Sequence, residues 1–76
     1  MMMSPERFFE LLDAQPFRRF QVDLENGRRI PVDHPENVHI FPARHRVKEI
    51  LVYYPDTDRY SVIFPEGVTA LHIGAT

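Results

Sequence analysis

The feature that most constrains this chain is an alternation of apolar and polar side chains that begins at Phe20. Phe20, Val22 and Leu24 are apolar and the residues between them are polar, which is typical of a strand with one buried face. Later segments rich in β-branched and aromatic residues follow, separated by turn-forming residues: NVHIF, VKEILVYY, RYSVIF and VTALHI. The pattern predicts five or six short strands in an antiparallel sheet.

The dipeptide Asn26-Gly27 stands directly after the first alternating segment. It predicts a hairpin with a two-residue type I′ turn, because both residues tolerate the positive φ that such a turn requires. Ile30 and Val32 then continue the inward face on the return strand. Pro31 cannot donate a backbone hydrogen bond, so this strand is expected at a sheet edge.

The segment SPERFFELLDAQP, before the strands, predicts a helix over about 5–14. Pro5 suits the first helical position, and a later proline ends the helix. Phe8, Leu11 and Leu12 share one face at helical spacing. We interpret this stripe as a lid on a core rather than as a ligand for a groove on a partner.

The length of 76 residues predicts one domain, 1–76, made of the helix and a β-barrel over about 18–74. The expected fold class is α+β but mainly β: an N-terminal helix followed by a strongly bent antiparallel sheet of five or six strands that forms a small barrel. A formal charge of -2 gives no overall attraction for nucleic acid or acidic membranes. Without a secretory signal or a long apolar stretch, we expect a cytoplasmic protein with no membrane contact.

The sequence contains no cysteine, so no disulfide can support a core of this size, and self-association is the expected alternative. The strand VKEILVYY supports this expectation because both of its faces are apolar. The pattern does not decide which face is inward. We predict a homo-oligomer whose interface includes Leu51, Tyr53, Tyr60 and Ile63.

Basic residues form two groups, one expected to converge across the first hairpin and one in the segment RHRVK. Eight of the nine basic side chains are arginine, whose planar guanidinium suits bidentate phosphate contacts. This favours RNA or single-stranded nucleic acid as a partner, with Phe41 or a tyrosine stacking on bases. Acidic residues lie among the arginines, so cross-strand ion pairs on a solvated face are the alternative interpretation. The candidate nucleic-acid contacts are Arg18, Arg19, Arg28, Arg29, Asp33, Asn37, Arg44, Arg46 and Lys48.

Asp33, His34, Glu36 and His39 raise a metal hypothesis, since imidazole and carboxylate groups bind zinc. The odd spacing of the two histidines argues against a shared strand face. We instead expect Asp33 and Asn37 to bond neighbouring backbone amides as turn residues. There is no nucleophile motif or phosphate-binding glycine loop, so we expect no enzyme, no metal, no cofactor and no small-molecule substrate.

The segment PFRRFQVDLENGRRIPVDHPENV resembles the signature of a family of small uncharacterised bacterial proteins, with PFRPF-like, DGR-like and HPE-like elements. That resemblance implies no particular activity. A wider resemblance is to Sm-like proteins: FQVDLENGRRI is similar to their first strand and glycine turn, Asp33 and Asn37 to their Asp-x-x-x-Asn element, and VIFPEGVTALHI to their closing strands. It implies a helix on a strongly bent five-stranded barrel, ring assembly and RNA binding. Phe64 and Pro65 stand where these proteins carry an Arg-Gly pair that contacts a base.

Overall fold

The computed structural model describes residues 5–74 of the chain. One helix precedes six strands, and two short 3-10 turns connect strands. In chain order the elements are α1 (Pro5–Asp13), β1 (Phe20–Leu24), β2 (Arg29–Val32), a 3-10 turn (Pro35–Asn37), β3 (Val38–Ala43), β4 (Arg46–Tyr54), β5 (Arg59–Ile63), a second 3-10 turn (Pro65–Gly67) and β6 (Val68–Ile73). Over the described residues, the structure has no helix with the length and apolar character needed to cross a membrane.

The helix α1 covers one side of the core. Phe8 and Leu12 are buried, while Phe9 and Leu11 are half-buried and pack against the same core. The Phe8 ring meets the Phe20 ring edge to face, with centroids 5.5 Å apart, an arrangement that the charge distribution of aromatic rings favours. The prediction of a helical lid is confirmed, and the helix ends one residue earlier than predicted.

The strands form two antiparallel sheets of three strands each. In the first sheet β1 lies between β2 and β6, and in the second β4 lies between β3 and β5. The pairing of Phe20 with Ile73 therefore joins the first strand to the last one. The mainly β class, the single helix and the antiparallel pairing are confirmed. Across residues 5–74 the hydrogen-bonded strands remain two sheets rather than one closed barrel.

The first hairpin differs from the predicted type I′ turn. Gly27 donates its backbone N–H to the Leu24 carbonyl, and Leu24 donates its N–H to the Arg28 carbonyl, so the loop has three residues, 25–27. Gly27 has a φ of +88°, whereas Asn26 does not have a positive φ. A three-residue loop needs only one residue in the left-handed region. The hairpin was predicted correctly, but the turn type was wrong.

The core lies between the two sheets and α1. Alternate residues of the strands enter it, as the sequence pattern predicted, and the structure has no buried polar or charged residue among those it describes. Burying an aliphatic or aromatic side chain of this kind contributes about 1.5–3 kcal/mol. The core residues are Phe8, Leu12, Phe20, Val22, Ile30, Val32, Ile50, Val52, Ile63 and Val68.

Candidate functional site

The second sheet presents an apolar surface to the outside. Alternate residues of β4 enter the core, so Leu51 and Tyr53 face away from it. On β5, Tyr60 stands opposite Tyr53 and Val62 stands opposite Leu51. Tyr60 is 63% exposed and Val62 is 40% exposed. Apolar side chains from two neighbouring strands therefore lie side by side on this surface.

Phe41 and Phe64 extend the surface toward the β3–β4 turn. Phe41 pairs with Glu49 across β3 and β4, and Phe64 keeps extended geometry after β5, which places it on the same side as Val62. Four of the five large hydrophobic residues that are exposed within residues 5–74 lie on this surface, and contiguous patches of this kind mark interaction sites. We define the outer face as Phe41, Leu51, Tyr53, Tyr60, Val62 and Phe64.

Three of the four predicted interface residues lie on the outer face, but Ile63 does not. Ile63 is 1% exposed and belongs to the core, so its assignment to an interface was wrong. Tyr60 and Ile63 are three residues apart, and an odd spacing places two residues on opposite faces of a strand. The same rule selects Val62 and Phe64, which the prediction missed.

The four edge strands differ in their protection against pairing with another chain. Pro31 lies on β2, and β3 carries Pro42 beside a shift in register. Proline and bulges both oppose the addition of a further strand. In contrast, β5 and β6 contain neither proline nor lysine, and they carry the exposed apolar residues Val62 and Ile73. Among the described strands, β5 and β6 are therefore the unprotected edges.

The structure separates the first group of predicted arginines. Arg29 pairs with Asp23 beside the hairpin loop, with Nε 2.7 Å from Oδ1, whereas Arg19 pairs with Asp33 at the other end of β1, with Nε 3.4 Å from Oδ1. Four strand residues separate these ends, a distance of about 14 Å at the usual rise of a strand. The predicted convergence across the hairpin was wrong, because the strand holds the two pairs apart.

Four predicted basic contacts form no ion pair with any residue that the structure describes. Val47, on β4, packs against the core, so its two neighbours point away from it. A shift in register between β3 and β4 leaves Lys48 without a direct partner on β3. The unpaired and exposed basic residues are Arg18, Arg28, Arg46 and Lys48.

Arg44 is held by the helix. Its guanidinium donates two hydrogen bonds to the Asp13 carboxylate, at 2.6 and 2.9 Å, and its Cζ lies 4.9 Å from the centroid of the Phe9 ring. The hydrogen bonds from Arg44 hold the pKa of Asp13 below its ordinary value. A bidentate pair combined with a cation–π contact ties the β3–β4 turn to α1. Arg44 is therefore a structural residue.

The turn around Pro35–Asn37 does not contain the predicted side-chain bonds. Asp33 faces Arg19, and the turn is closed by a backbone bond of 3.1 Å in which the Asn37 N–H donates to the His34 carbonyl. The structure has no bond from the Asp33 or Asn37 side chain to a backbone amide of a described residue, so this expectation was wrong. No group of three His, Asp or Glu residues within 5–74 could hold a metal ion.

The end of the second sheet opposite the β3–β4 turn is acidic. Asp56 and Asp58 lie in the β4–β5 turn. The Tyr53 hydroxyl donates a hydrogen bond of 2.9 Å to Asp58, which places this carboxylate beside the outer face. That bond, assisted by burial, raises the pKa of Tyr53. The outer face thus runs from the basic end at Arg46 and Lys48 to an acidic end.

The first sheet has a polar outer side instead. Asp23 on β1 accepts a hydrogen bond of 2.7 Å from Arg29 on β2, and its other oxygen lies 2.8 Å from Nε2 of His72 on β6. These partners, Arg29 first, hold the pKa of Asp23 below its ordinary value. The cluster joins three strands and satisfies the charges on them, so it offers less to a partner than the apolar outer face does.

Comparison with known proteins gives no family for this chain. No family model matches the sequence, and neither a curated protein nor a solved structure shows significant similarity to it. The functional argument therefore rests on the geometry of the edges and of the outer face.

Proposed function

We propose that this protein is a non-enzymatic assembly module that associates with copies of itself through strand edges and outward apolar residues. The observation that carries the proposal is the presence, on one small domain, of two unprotected edges, β5 and β6, which carry the exposed residues Val62 and Ile73. Unpaired edges with apolar side chains are the usual template for pairing with another chain.

The two unprotected edges belong to different sheets, which favours head-to-tail assembly. When β5 of one copy pairs with β6 of the next, each copy still offers one free edge. Such a heterologous contact generates a ring if the rotation closes. Backbone hydrogen bonds of about 0.5–1.5 kcal/mol each supply the stabilisation, and burial of the apolar side chains at the edges adds to it.

We also propose that the two sheets are halves of one small Sm-like barrel. A single 3-10 turn, Pro35–Asn37, connects β2 to β3. The Tyr54 hydroxyl donates to the Pro31 carbonyl at 3.3 Å, and the Glu25 N–H donates to the Gly67 carbonyl at 2.9 Å. These bonds link the sheets on two sides of a common core, which supports a strongly bent barrel like that of the Sm-like proteins that the sequence resembles.

The proposal is tested by adding a lysine to each unprotected edge. Val62→Lys changes β5 and Ile73→Lys changes β6, two positions of similar exposure. A charge on an edge strand opposes further pairing, so each variant should have a lower solution mass than the wild type by light scattering. An equimolar mixture of the two variants should regain mass, because an intact β5 then meets an intact β6.

The matched control is Gln15→Lys, which adds the same charge at an exposed position outside the strands and should leave the mass unchanged. Circular dichroism verifies that every variant is folded. A wild type that stays monomeric at micromolar concentration contradicts the proposal. If Ile73→Lys alone leaves the mass unchanged, β6 takes no part and head-to-tail assembly is excluded.

A second candidate function is binding of RNA or single-stranded nucleic acid. Arg46 and Lys48 are exposed and unpaired with any described acid, and Phe41 lies on the neighbouring strand, where its exposed ring could stack on a base. Fluorescence anisotropy with a labelled oligonucleotide tests this at low and physiological salt. A genuine site binds with an affinity that falls steeply with salt and is weakened by Arg46→Ala. Absence of binding at low salt excludes it.

A further inference from the structure

We infer that the outer face of one copy packs against the outer face of a second copy in a two-fold contact, with the β4 strands running in opposite directions. This contact is separate from strand addition at β5 and β6, which leaves the outer face open. It does not depend on the function proposed above, because it uses the surface of the second sheet rather than its edges.

The distribution of charge selects a second copy as the occupant. Arg46 and Lys48 lie at one end of the second sheet, and Asp56 and Asp58 lie in the turn at its other end. Parallel stacking of two such faces would bring like charges together. A two-fold axis through the middle of the face instead places the basic end of each copy over the acidic end of the other. A surface with opposite charges at its two ends is complementary to itself, which a two-fold interface requires.

The polar groups within the face follow the same symmetry. Glu49 is exposed beside Phe41, and its carboxylate forms no ion pair with a described residue. Tyr60 is exposed at the far end of the face, and its hydroxyl forms no hydrogen bond to the described chain. Glu49 precedes Leu51 by two residues, and the register places Tyr60 opposite Tyr53, two residues after Leu51.

A two-fold axis near Leu51 therefore brings Glu49 of one copy to Tyr60 of the second. The Tyr60 hydroxyl can then donate to the Glu49 carboxylate, so both groups become buried with a partner, as buried polar groups must. The exposed rings of Phe41 and Phe64 lie in the same row as Glu49 and surround this bond. Apolar packing and polar pairing thus agree on one arrangement.

The size of the face sets the expected strength of the contact. Three strands about 4.8 Å apart and nine residues of about 3.4 Å each give a surface of roughly 400 Å² per copy. A stable interface between two proteins covers about 800 Å² per partner. The contact by itself should therefore be weak, and it adds to affinity mainly when the edges are also joined.

The test uses charge reversal in the Ile73→Lys background, where pairing through β6 is blocked. Sedimentation equilibrium measures the dimer dissociation constant of this protein. Adding either Lys48→Glu or Asp56→Lys should weaken the dimer at least about tenfold, because each creates like-charge contacts across the two-fold axis. Adding both should restore it, since the exchanged charges attract again. Misfolding cannot produce such a rescue.

A matched control is Glu25→Lys, a charge reversal in the hairpin loop of the first sheet, which should leave the dissociation constant unchanged. The inference is overturned if the Ile73→Lys protein stays monomeric at the highest soluble concentration, or if the double reversal fails to restore the dimer. Failure of the edge proposal is a different result: Ile73→Lys then has the same mass as the wild type while the charge-reversal series still responds.

Discussion

The Arg44 guanidinium donates two hydrogen bonds to the Asp13 carboxylate, which is the last residue of α1. A carboxylate at this position opposes the negative end of the helix dipole, and the last turn of α1 contains no basic residue. Arg44 therefore supplies, from the β3–β4 turn, the positive charge that the helix lacks. The pair joins an element with short-range contacts to a sheet distant in sequence.

Asp13→Asn should reduce the acid sensitivity of the protein. The pKa of Asp13 in the folded state lies below its ordinary value because of Arg44, whereas the unfolded value is about 3.9. The contribution of this group to stability is therefore full above the unfolded pKa and is lost as the pH falls through the folded pKa. Urea unfolding at neutral pH and in acid should show a smaller difference for Asp13→Asn than for the wild type. An equal difference would mean that Arg44 does not bind Asp13 in solution.

Phe8→Ala should nearly abolish the fold. The Phe8 ring is completely buried and contacts the ring of Phe20, and truncation of such a residue costs about 3–5 kcal/mol. A domain of this size is expected to have a total stability of similar magnitude. Phe8→Leu retains most of the volume and should cost less. Thermal unfolding followed by circular dichroism ranks the three proteins, and similar midpoints for all three would show that α1 is not packed on the sheets.

Gly27→Ala and Gly67→Ala should have opposite effects. Gly27 has a φ of +88°, where a side chain is strained, and Gly67 has no positive φ and no neighbour within 4 Å of an added Cβ. We expect Gly27→Ala to destabilise the protein by about 1 kcal/mol or more. Gly67→Ala should be neutral or stabilising by up to about 1 kcal/mol, because it restricts the unfolded chain. Urea midpoints measure both, and equal midpoints would contradict the three-residue hairpin loop.

Asp58→Asn should lower the pKa of Tyr53. The bond from the Tyr53 hydroxyl to the Asp58 carboxylate raises this pKa in the folded protein, so the stabilisation is present below about pH 10 and is lost as the pH rises through the folded pKa. Ultraviolet absorbance titration of the tyrosines, assigned with Tyr53→Phe, measures the change. Asp56→Asn in the same turn is the control and should leave the pKa of Tyr53 as it is.

Most of the secondary structure could be predicted because local chemistry decides it. The alternation after Phe20 identified the strands and their inward residues, and Pro5 with the stripe that includes Phe8 identified the helix. The hairpin was found from Asn26 and Gly27, but its turn type was missed, because these residues also suit a three-residue loop with one positive φ. Composition alone does not decide between the two loops.

The site could be predicted only in part, because it depends on relations between strands. Arginines adjacent in sequence were expected to converge, but the length of β1 holds Arg19 and Arg29 at opposite ends. The pairing of Arg44 with Asp13 joins residues 31 positions apart, and no local pattern indicates it. The error at Ile63 was avoidable, since the parity of the strand was already visible.

The absence of buried polar side chains from the described core has an evolutionary consequence. An interior of aliphatic and aromatic groups tolerates exchanges that keep total volume, so the inward positions of related chains should drift freely among valine, isoleucine and leucine. Positions that determine chain reversal, such as Gly27, have no such freedom. Descent in this lineage should therefore be easier to trace through its bends than through its centre.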